Sequence, residues 1–388
     1  MIAAATVGAI LLAAVTLYAI LGGADFGGGL WDLLAGGDRR GSAPRQLIDA
    51  TITPVWEANH VWLVFDLVIF WTAFPHAFAA VMNTLALPLW LALLGIVLRG
   101  AGFAFRKEAR RLGLQRLFGA IFAFSSLLAP FFMGTVIGAI ATGKVPAGAT
   151  QASLSAWTSP VSLLIGFLFV GACGYLAAVY LVGEAVRGGN DDMARYFTWR
   201  AWASGIVTGA LSLAALAELH ASDLFLYNRL TGRALALVVI AAVCGLAVVG
   251  LLTFGRLSGL VVTGARVLAA LGVAAVIWGW GVAEYPTLLP GTGVTLSNAG
   301  APHATLVAII VLFIVAVAVI GPSFALLFSL HGRRILGPGD GAALSAGTGG
   351  AAALAGTGAA ERRGGRSSVF GLVAVAALVR AAIRRRNR

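Results

Sequence analysis

The sequence predicts an all-α integral membrane protein with nine transmembrane helices. Three observations predict it. Of 388 residues, 60% are hydrophobic and only 11% are charged, and mean hydropathy is +0.93. A soluble globular chain holds roughly 45–50% apolar and about 25% charged residues. Nine apolar runs reach the roughly 20 residues that cross a bilayer as a helix. Basic residues concentrate in alternate loops, the pattern that orients a chain in a membrane.

The nine runs lie near 3–24, 54–74, 77–98, 117–141, 160–183, 198–217, 234–254, 259–282 and 304–328. The first begins at once, with no basic leader, and reads as a span rather than a cleaved signal peptide. It ends in GGADFGGG, which places Asp25 at its terminus. The second opens PVWEANHVWLVFD, with Thr53 as its N-cap and Pro54 at its first helical position. Of the 27 Lys and Arg, 24 lie in or beside the loops after spans 1, 3, 5 and 7, or in the C-terminal tail. Lys144, Arg229 and Arg233 are left for the other side. This asymmetry predicts an N-out/C-in orientation. It also accounts for the net charge of +12 without a nucleic-acid partner. Cys173 and Cys244 both sit in apolar runs, so no disulfide framework is expected.

Span 1 ends ILGGADFGGG and span 5 ends LVGEAVRGGN, each with an acid following glycine. This echo suggests two four-helix bundles, spans 1–4 and 5–8, with span 9 peripheral. The membrane domain then covers residues 1–330. Residues 331–368 read as a flexible Gly/Ala-rich linker and 369–388 as a basic tail. The tail's apolar part is too short to cross a bilayer. It reads either as a basic segment near anionic lipid or as an interfacial helix.

Ionisable residues inside spans are rare and point to function. Asp25 and Glu57 fall at the cytoplasmic ends of neighbouring spans, an arrangement suited to proton uptake. The plainer readings stand beside it. Glu57 lies in a first helical turn, where the helix dipole favours an acid, and Asp25 would cap a following interfacial helix that contains Leu30 and Trp31. Asn59, Trp62 and Asp66 share one face of span 2, and Trp56 and His60 share another. Asp66 lies about 18 Å into the span, near mid-bilayer. Trp56 and Trp62 also suit an interfacial belt. Only His60 among the five histidines is inside a span, and no His–His or His–Met pair has haem-ligand spacing. No metal site and no cofactor held by this chain alone is expected.

GADFGGG, PVWEANHVWL, FWTAFP, LRGAGFAFR and EYPTLLP, in that order, resemble subunit II of cytochrome bd-type quinol oxidases. The resemblance covers about residues 5–330. It implies a non-haem subunit of a terminal oxidase in the bacterial cytoplasmic (inner) membrane. The implied partner is a subunit I carrying two b-type haems and one d-type haem, where quinol is oxidised and oxygen is reduced to water. It further implies cytoplasmic proton delivery, a structural quinone in some members, small accessory single-span subunits and contact with membrane lipid. Residue by residue, Asp25 and Glu57 resemble positions assigned to proton delivery. Trp56, Asn59 and Trp62 match a motif packing at the subunit interface, and Arg99 and Arg106 match basic residues after span 3. His60 departs from the family's Glu or Gln and reads either as a member of the proton relay or as packing. Asp66 has no counterpart in the pattern, and Ala104 replaces an acid. Two other functions stay open on the residues alone: a proton-coupled secondary transporter, suggested by intramembrane acids and Gly-rich broken helix ends, and a purely structural partner of a haem subunit.

Overall fold

The computed structural model describes residues 2–52, 56–255 and 257–332; the side chains of residues 38, 39, 52, 56–58, 107, 320 and 323–332 fall outside that description. The chain divides into two units, Met1–Ala325 and Leu326–Arg388. The first unit holds the helices and the hairpin up to Ala325. Residues past Gly332, which hold nearly all of the expected linker and the whole of the expected tail, lie outside the described residues.

In chain order the helices are α1 (Ile2–Leu33), α2 (Asp38–Ile52), α3 (Trp56–Ala73), α4 (Pro75–Thr84), α5 (Ala86–Glu108), α6 (Leu112–Ala141), α7 (Leu154–Trp157), α8 (Pro160–Arg187), α9 (Asp191–Ser222), α10 (Leu224–Thr231), α11 (Leu235–Phe254), α12 (Gly259–Glu284) and α13 (His303–Gly332). A two-stranded antiparallel hairpin, β1 (Thr287–Leu289) and β2 (Val294–Thr295), joins α12 to α13, pairing Thr287 with Thr295. Among the described residues, seven helices are long and apolar enough to cross a membrane: α1, α5, α6, α8, α9, α11 and α12. α3 and α4 form an eighth candidate if counted as one bent span, and α13 adds a shorter apolar stretch, His303–Val319. This is a multi-pass membrane protein.

Two boundaries differ from the sequence expectation. The run expected at 77–98 is divided at Leu85, and the apolar stretch that follows is Ala86–Arg106. Proline explains the first part of this. Pro75 occupies the first helical position of α4, and the residue before a proline is disfavoured in helical geometry. The chain therefore turns at Phe74, and α3 and α4 meet at 119°. Arg99 and Arg106 thus lie within α5, not in a loop after it.

The second difference is α1. It does not end in the glycine-rich stretch but runs unbroken to Leu33. Glycine costs roughly 1 kcal/mol per residue in a helix interior, so packing must compensate. A Cβ at Gly27 would stand 1.9 Å from the Cys173 carbonyl oxygen of α8, and one at Gly29 would stand 2.2 Å from the Ser126 side chain of α6. The glycines are the seam where two neighbouring helices approach closely, a device common between membrane helices.

α1 and α8 are the central pair. α1 packs on α3, α6, α8 and α12; α8 packs on α1, α6, α9 and α12; α5 pairs with α6 and α11 with α12. One end of the unit gathers Trp31 of α1, Ile48 of α2, Phe103 of α5, Phe197 of α9 and Val262 of α12. The opposite end gathers Val7, Phe74, Leu85, Val145, Leu289 and Leu306. Side-chain caps start several helices: Ser159 for α8, Asn190 for α9 and Asp223 for α10 each accept a backbone N–H from three residues on.

Candidate functional site

Asp25 lies well inside α1 and is only 4% exposed. It caps nothing, because the helix continues past it for two turns. Asn59, on the facing turn of α3, donates its amide Nδ2–H to Asp25 Oδ2 at 2.5 Å. The same nitrogen lies 3.3 Å from the Leu21 carbonyl oxygen. Asn59 is 3% exposed. Within this chain it is the carboxylate's hydrogen-bond partner. A buried carboxylate needs such donors, since stripping it of water costs several kcal/mol.

Arg99 supplies the opposite charge. It is 1% exposed and lies in electrostatic reach of Asp25. Its Nε donates to Ser126 Oγ at 3.2 Å, and Ser126 Oγ in turn donates to the Phe122 carbonyl. The guanidinium sits 5.0 Å from the Phe26 ring centroid and 5.4 Å from that of Phe122. Cation–π contacts of this kind help hold a cation out of water. Nη2 of Arg99 is buried with no hydrogen-bond partner among the described residues.

The same cluster draws in His60, Trp62 and Tyr18. The His60 ring stacks on Phe26 at 6.2 Å and meets Tyr18 edge-on at 6.0 Å. Trp62 is half-buried, set edge-on to Phe65, and packs beside Tyr18, Phe26, Ala129 and Cys173. Asp66 is half-buried one to two turns further along α3, and its Oδ1 has no hydrogen-bond partner among the described residues. The backbones of Trp56 and Glu57 belong to α3, but their side chains, like Thr53 and Pro54 altogether, lie outside the described residues.

Arg106 belongs to a second polar group at the α2 end. Asp32 of α1 meets Arg106 at 2.6 Å and Arg45 of α2 at 2.9 Å, and Arg106 also reaches Asp49 of α2 at 3.3 Å. With Ile48 buried beneath it, α2 is pinned over the ends of α1 and α5. Sequence reasoning did not select Asp32 or Asp49. Asp32 lies two helical turns beyond Asp25, on the same face, and that spacing was the available signal.

The acid of the echoed motif, Glu184, sits differently. It pairs with Arg266 of α12 at 3.1 Å and with Arg187, and its side chain is 32% exposed. At the opposite end, Glu284 of EYPTLLP is buried, with Arg229 and Arg233 donating to the adjacent Ala283 carbonyl. No group of three or more His, Cys, Asp and Glu among the described residues has metal-binding geometry, and both cysteines are free and buried.

Of the residues singled out from sequence, the structure thus brings Asp25, Asn59, His60, Trp62 and Arg99 into one cluster with Asp66 at its edge. It sets Arg106 apart. Tyr18, Phe26, Ser126 and Cys173 complete the cluster and were not anticipated.

Comparison with known proteins gives one family throughout. A profile for "Cytochrome bd terminal oxidase subunit II" matches residues 4–331. Cytochrome bd ubiquinol oxidase subunit 2 of Bacillus subtilis (strain 168) is 29% identical over 126 residues, 32% of this chain and 36% of that protein. Cytochrome bd-I ubiquinol oxidase subunit 2 of Escherichia coli (strain K12) is 25% identical over 178 residues, 43% of this chain and 46% of that protein. The aligned stretches thus span less than half the length of each curated relative. In fold, the chain is similar to a chain in the structure of the bd oxidase from Geobacillus thermodenitrificans, with TM-score 0.70 at 23% identity, covering 85% of this chain and 99% of that one. With a family profile matched over residues 4–331, the chain belongs to the cytochrome bd terminal oxidase subunit II family.

Proposed function

We propose that this chain is the non-haem subunit of a bd-type terminal quinol oxidase in a bacterial cytoplasmic membrane. It would pair with a haem-bearing subunit I, where quinol is oxidised and oxygen is reduced to water. The haems supply the electron-transfer and oxygen chemistry, two of b type and one of d type. This chain supports assembly and brings protons from the cytoplasmic side. Family membership, which does not favour the transporter alternative, carries the first half of this reading. The buried Asp25–Asn59 contact beside Arg99 carries the second.

In this reading nine helices cross the membrane: the seven long ones, the bent α3/α4 pair and α13. The N-terminus is outside and the C-terminus inside, so α2 and the Asp32 network face the cytoplasm. α1, α3, α5 and α6 form one bundle and α8, α9, α11 and α12 the other. Structural quinone, lipid and small single-span subunits are further partners that the family reading brings.

The residues would act as follows. Glu57, in the first turn of α3, collects a proton at the cytoplasmic face. Asp25, level with Asn59 and so only about 3 Å deeper at 1.5 Å per residue, accepts it on the carboxylate oxygen that Asn59 leaves free. Asn59 holds the carboxylate in one orientation in both charge states. Arg99 is a fixed positive charge that keeps the ionised form tolerable in a dry interior. His60 and Asp66 lie beyond Asp25 along α3.

Two measurements test this. Co-expressed with a haem-bearing subunit I, the tagged chain should co-purify a complex that consumes oxygen with quinol, while the chain purified alone should show no Soret band. A stoichiometric haem spectrum from the lone chain would defeat the subunit assignment. Glu57→Gln should lower oxygen consumption with haem content intact; full turnover in that variant would mean Glu57 carries no essential protons.

A further inference from the structure

The polar cluster does not end at Asp25. The Asn59–Asp25 contact fixes how α1 and α3 face each other. Tyr18 is seven residues back from Asp25 on α1, and Asp66 is seven residues forward from Asn59 on α3. Seven residues are two helical turns, so each pair shares a face, about 10 Å apart along the axis at 1.5 Å per residue. The His60 ring lies between, in contact with both Tyr18 and Phe26. α1 and α3 run antiparallel, since Val7 and Ile10 near the start of α1 pack with Ile69 and Ala73 at the end of α3, so Tyr18 falls at the level of Asp66.

The Tyr18 ring is placed to span that gap. It lies over Gly22, where a Cβ would come within 3.0 Å of the ring, and it reaches Phe26 edge-on at 6.3 Å. It thus leans along α1 towards Asp25. Its hydroxyl is in electrostatic reach of Asp25, Asp66, Arg99 and Cys173. Tyr18 is 6% exposed, and among the described residues its hydroxyl has no hydrogen-bond partner. Asp66 Oδ1, on the facing helix, is buried in the same condition. Buried polar groups in native proteins are satisfied by each other or by ordered water. Two such groups lie at the same level on adjacent helices, and one is a hydroxyl that both donates and accepts.

We propose that the Tyr18 hydroxyl is the proton-conducting link between Asp25 on α1 and Asp66 on α3. A proton leaving Asp25 is accepted on a lone pair of the Tyr18 oxygen, directly or through one water. The hydroxyl's own proton passes to Asp66, and rotation about the C–O bond resets the link. Tyrosine is neutral before and after, so only the two carboxylates change charge. Phe26, Arg99 and Cys173 close the other sides. Asp66 is only half-buried, so the relay delivers its proton to the flank of α3 and not to the centre of the chain. The inference rests on the reading of Asp25 as a proton carrier.

The test uses the assembled complex with its haem subunit, in vesicles, and compares Tyr18→Phe, Asp66→Asn, their double variant and Asp25→Asn. Haem content, oxygen consumption with quinol and the H2O/D2O rate ratio are measured on each. Tyr18→Phe and Asp66→Asn should each slow turnover about tenfold, less than the roughly 10²–10⁴ of a positioned proton donor because water partly substitutes. The rate ratio should rise, haem content should hold, and the double variant should be no slower than either single one. Full turnover in Tyr18→Phe, or a loss that tracks lost haem with an unchanged rate ratio, overturns the link. So does a double variant in which the two losses multiply. If Asp25→Asn is slow while Tyr18→Phe and Asp66→Asn are normal, only the link is wrong. If Asp25→Asn is also normal, the proton-carrier reading itself falls. Should Tyr18→Phe fail to assemble, Asp66→Asn decides, since it leaves Tyr18 and its packing in place.

Discussion

Asp25 and Glu184 occupy matching places in the sequence, each an acid just after glycine near the end of a long apolar run. The structure treats them in opposite ways. Glu184 is partly exposed and held by two arginines, Arg187 and Arg266. Asp25 is buried, bonded to a neutral amide, and lies in electrostatic reach of the buried cation of Arg99. A carboxylate clamped by arginines is a fixed charge that ties helices together. One held by an amide keeps its geometry whether charged or neutral, so it can carry a proton. The echo finds both acids, and their partners set them apart.

The largest expected effect breaks this comparison most directly. Asp25→Asn keeps the shape and loses the exchangeable carboxyl proton. Oxygen consumption of the assembled complex should fall about 10²-fold, the lower end for loss of a positioned proton carrier. Glu184→Gln should change it less than about twofold, because a surface ion pair contributes only up to ~1 kcal/mol, and to stability alone. Equal losses from the two variants, at equal haem content, would show that the partners do not distinguish the roles.

Glycine sharpens the comparison next. Gly27 lies beside Asp25 and Gly183 beside Glu184, and a Cβ at either would collide. At Gly27 the obstacle is the Cys173 carbonyl, backbone of a packed helix, at 1.9 Å. At Gly183 it is the Arg266 guanidinium, the far end of a flexible side chain. Gly27→Ala should therefore destabilise the complex by about 2–3 kcal/mol, the upper range for overpacking, visible as a lower thermal midpoint or lower yield. Gly183→Ala should cost under about 1 kcal/mol, since only a partly exposed ion pair must shift. A reversed order would mean that α1 and α8 do not meet through this seam.

Much of this was legible in the sequence, and the reasons are specific. Apolar length and the loop charges revealed the long helices, because each span must satisfy its own backbone in lipid. The chemistry of Asp25 and Asn59 was visible as polar residues inside apolar runs. Their pairing was not, since it depends on the register between two helices joined through α2. Arg99 read as a loop residue because an arginine on an apolar run marks a span end in most chains. Here two phenyl faces and a serine hold it inside α5. Gly22–Gly29 read as a break because glycine costs a helix stability in isolation. Contacts from α6 and α8 reverse that, and they come from residues about 100 and 145 positions away. Tyr18 was overlooked because a tyrosine in an apolar run looks like packing until its hydroxyl is found buried without a partner among the described residues, in the cluster around Phe26.

Asp32 supplies the smallest and most discriminating effect, because it combines the traits that separate Asp25 from Glu184. It is 4% exposed, like Asp25, and clamped by two arginines, like Glu184. If burial alone made a proton carrier, Asp32→Asn would slow turnover as Asp25→Asn does. If the partners decide, it should behave as a fixed charge. Its arginines are partly exposed and can turn to water when released. The loss should then stay near 1–2 kcal/mol of stability, below the roughly 3–5 kcal/mol of breaking a fully buried pair. It would appear as a lower thermal midpoint and as faster proteolysis of α2, the helix that the network pins. Oxygen consumption at a temperature where the complex remains folded should stay within about twofold of the parent, the range expected for a charge acting only on stability. A turnover loss approaching that of Asp25→Asn, with α2 still protected, would extend the proton route to Asp32 and make burial, not pairing, the property that matters.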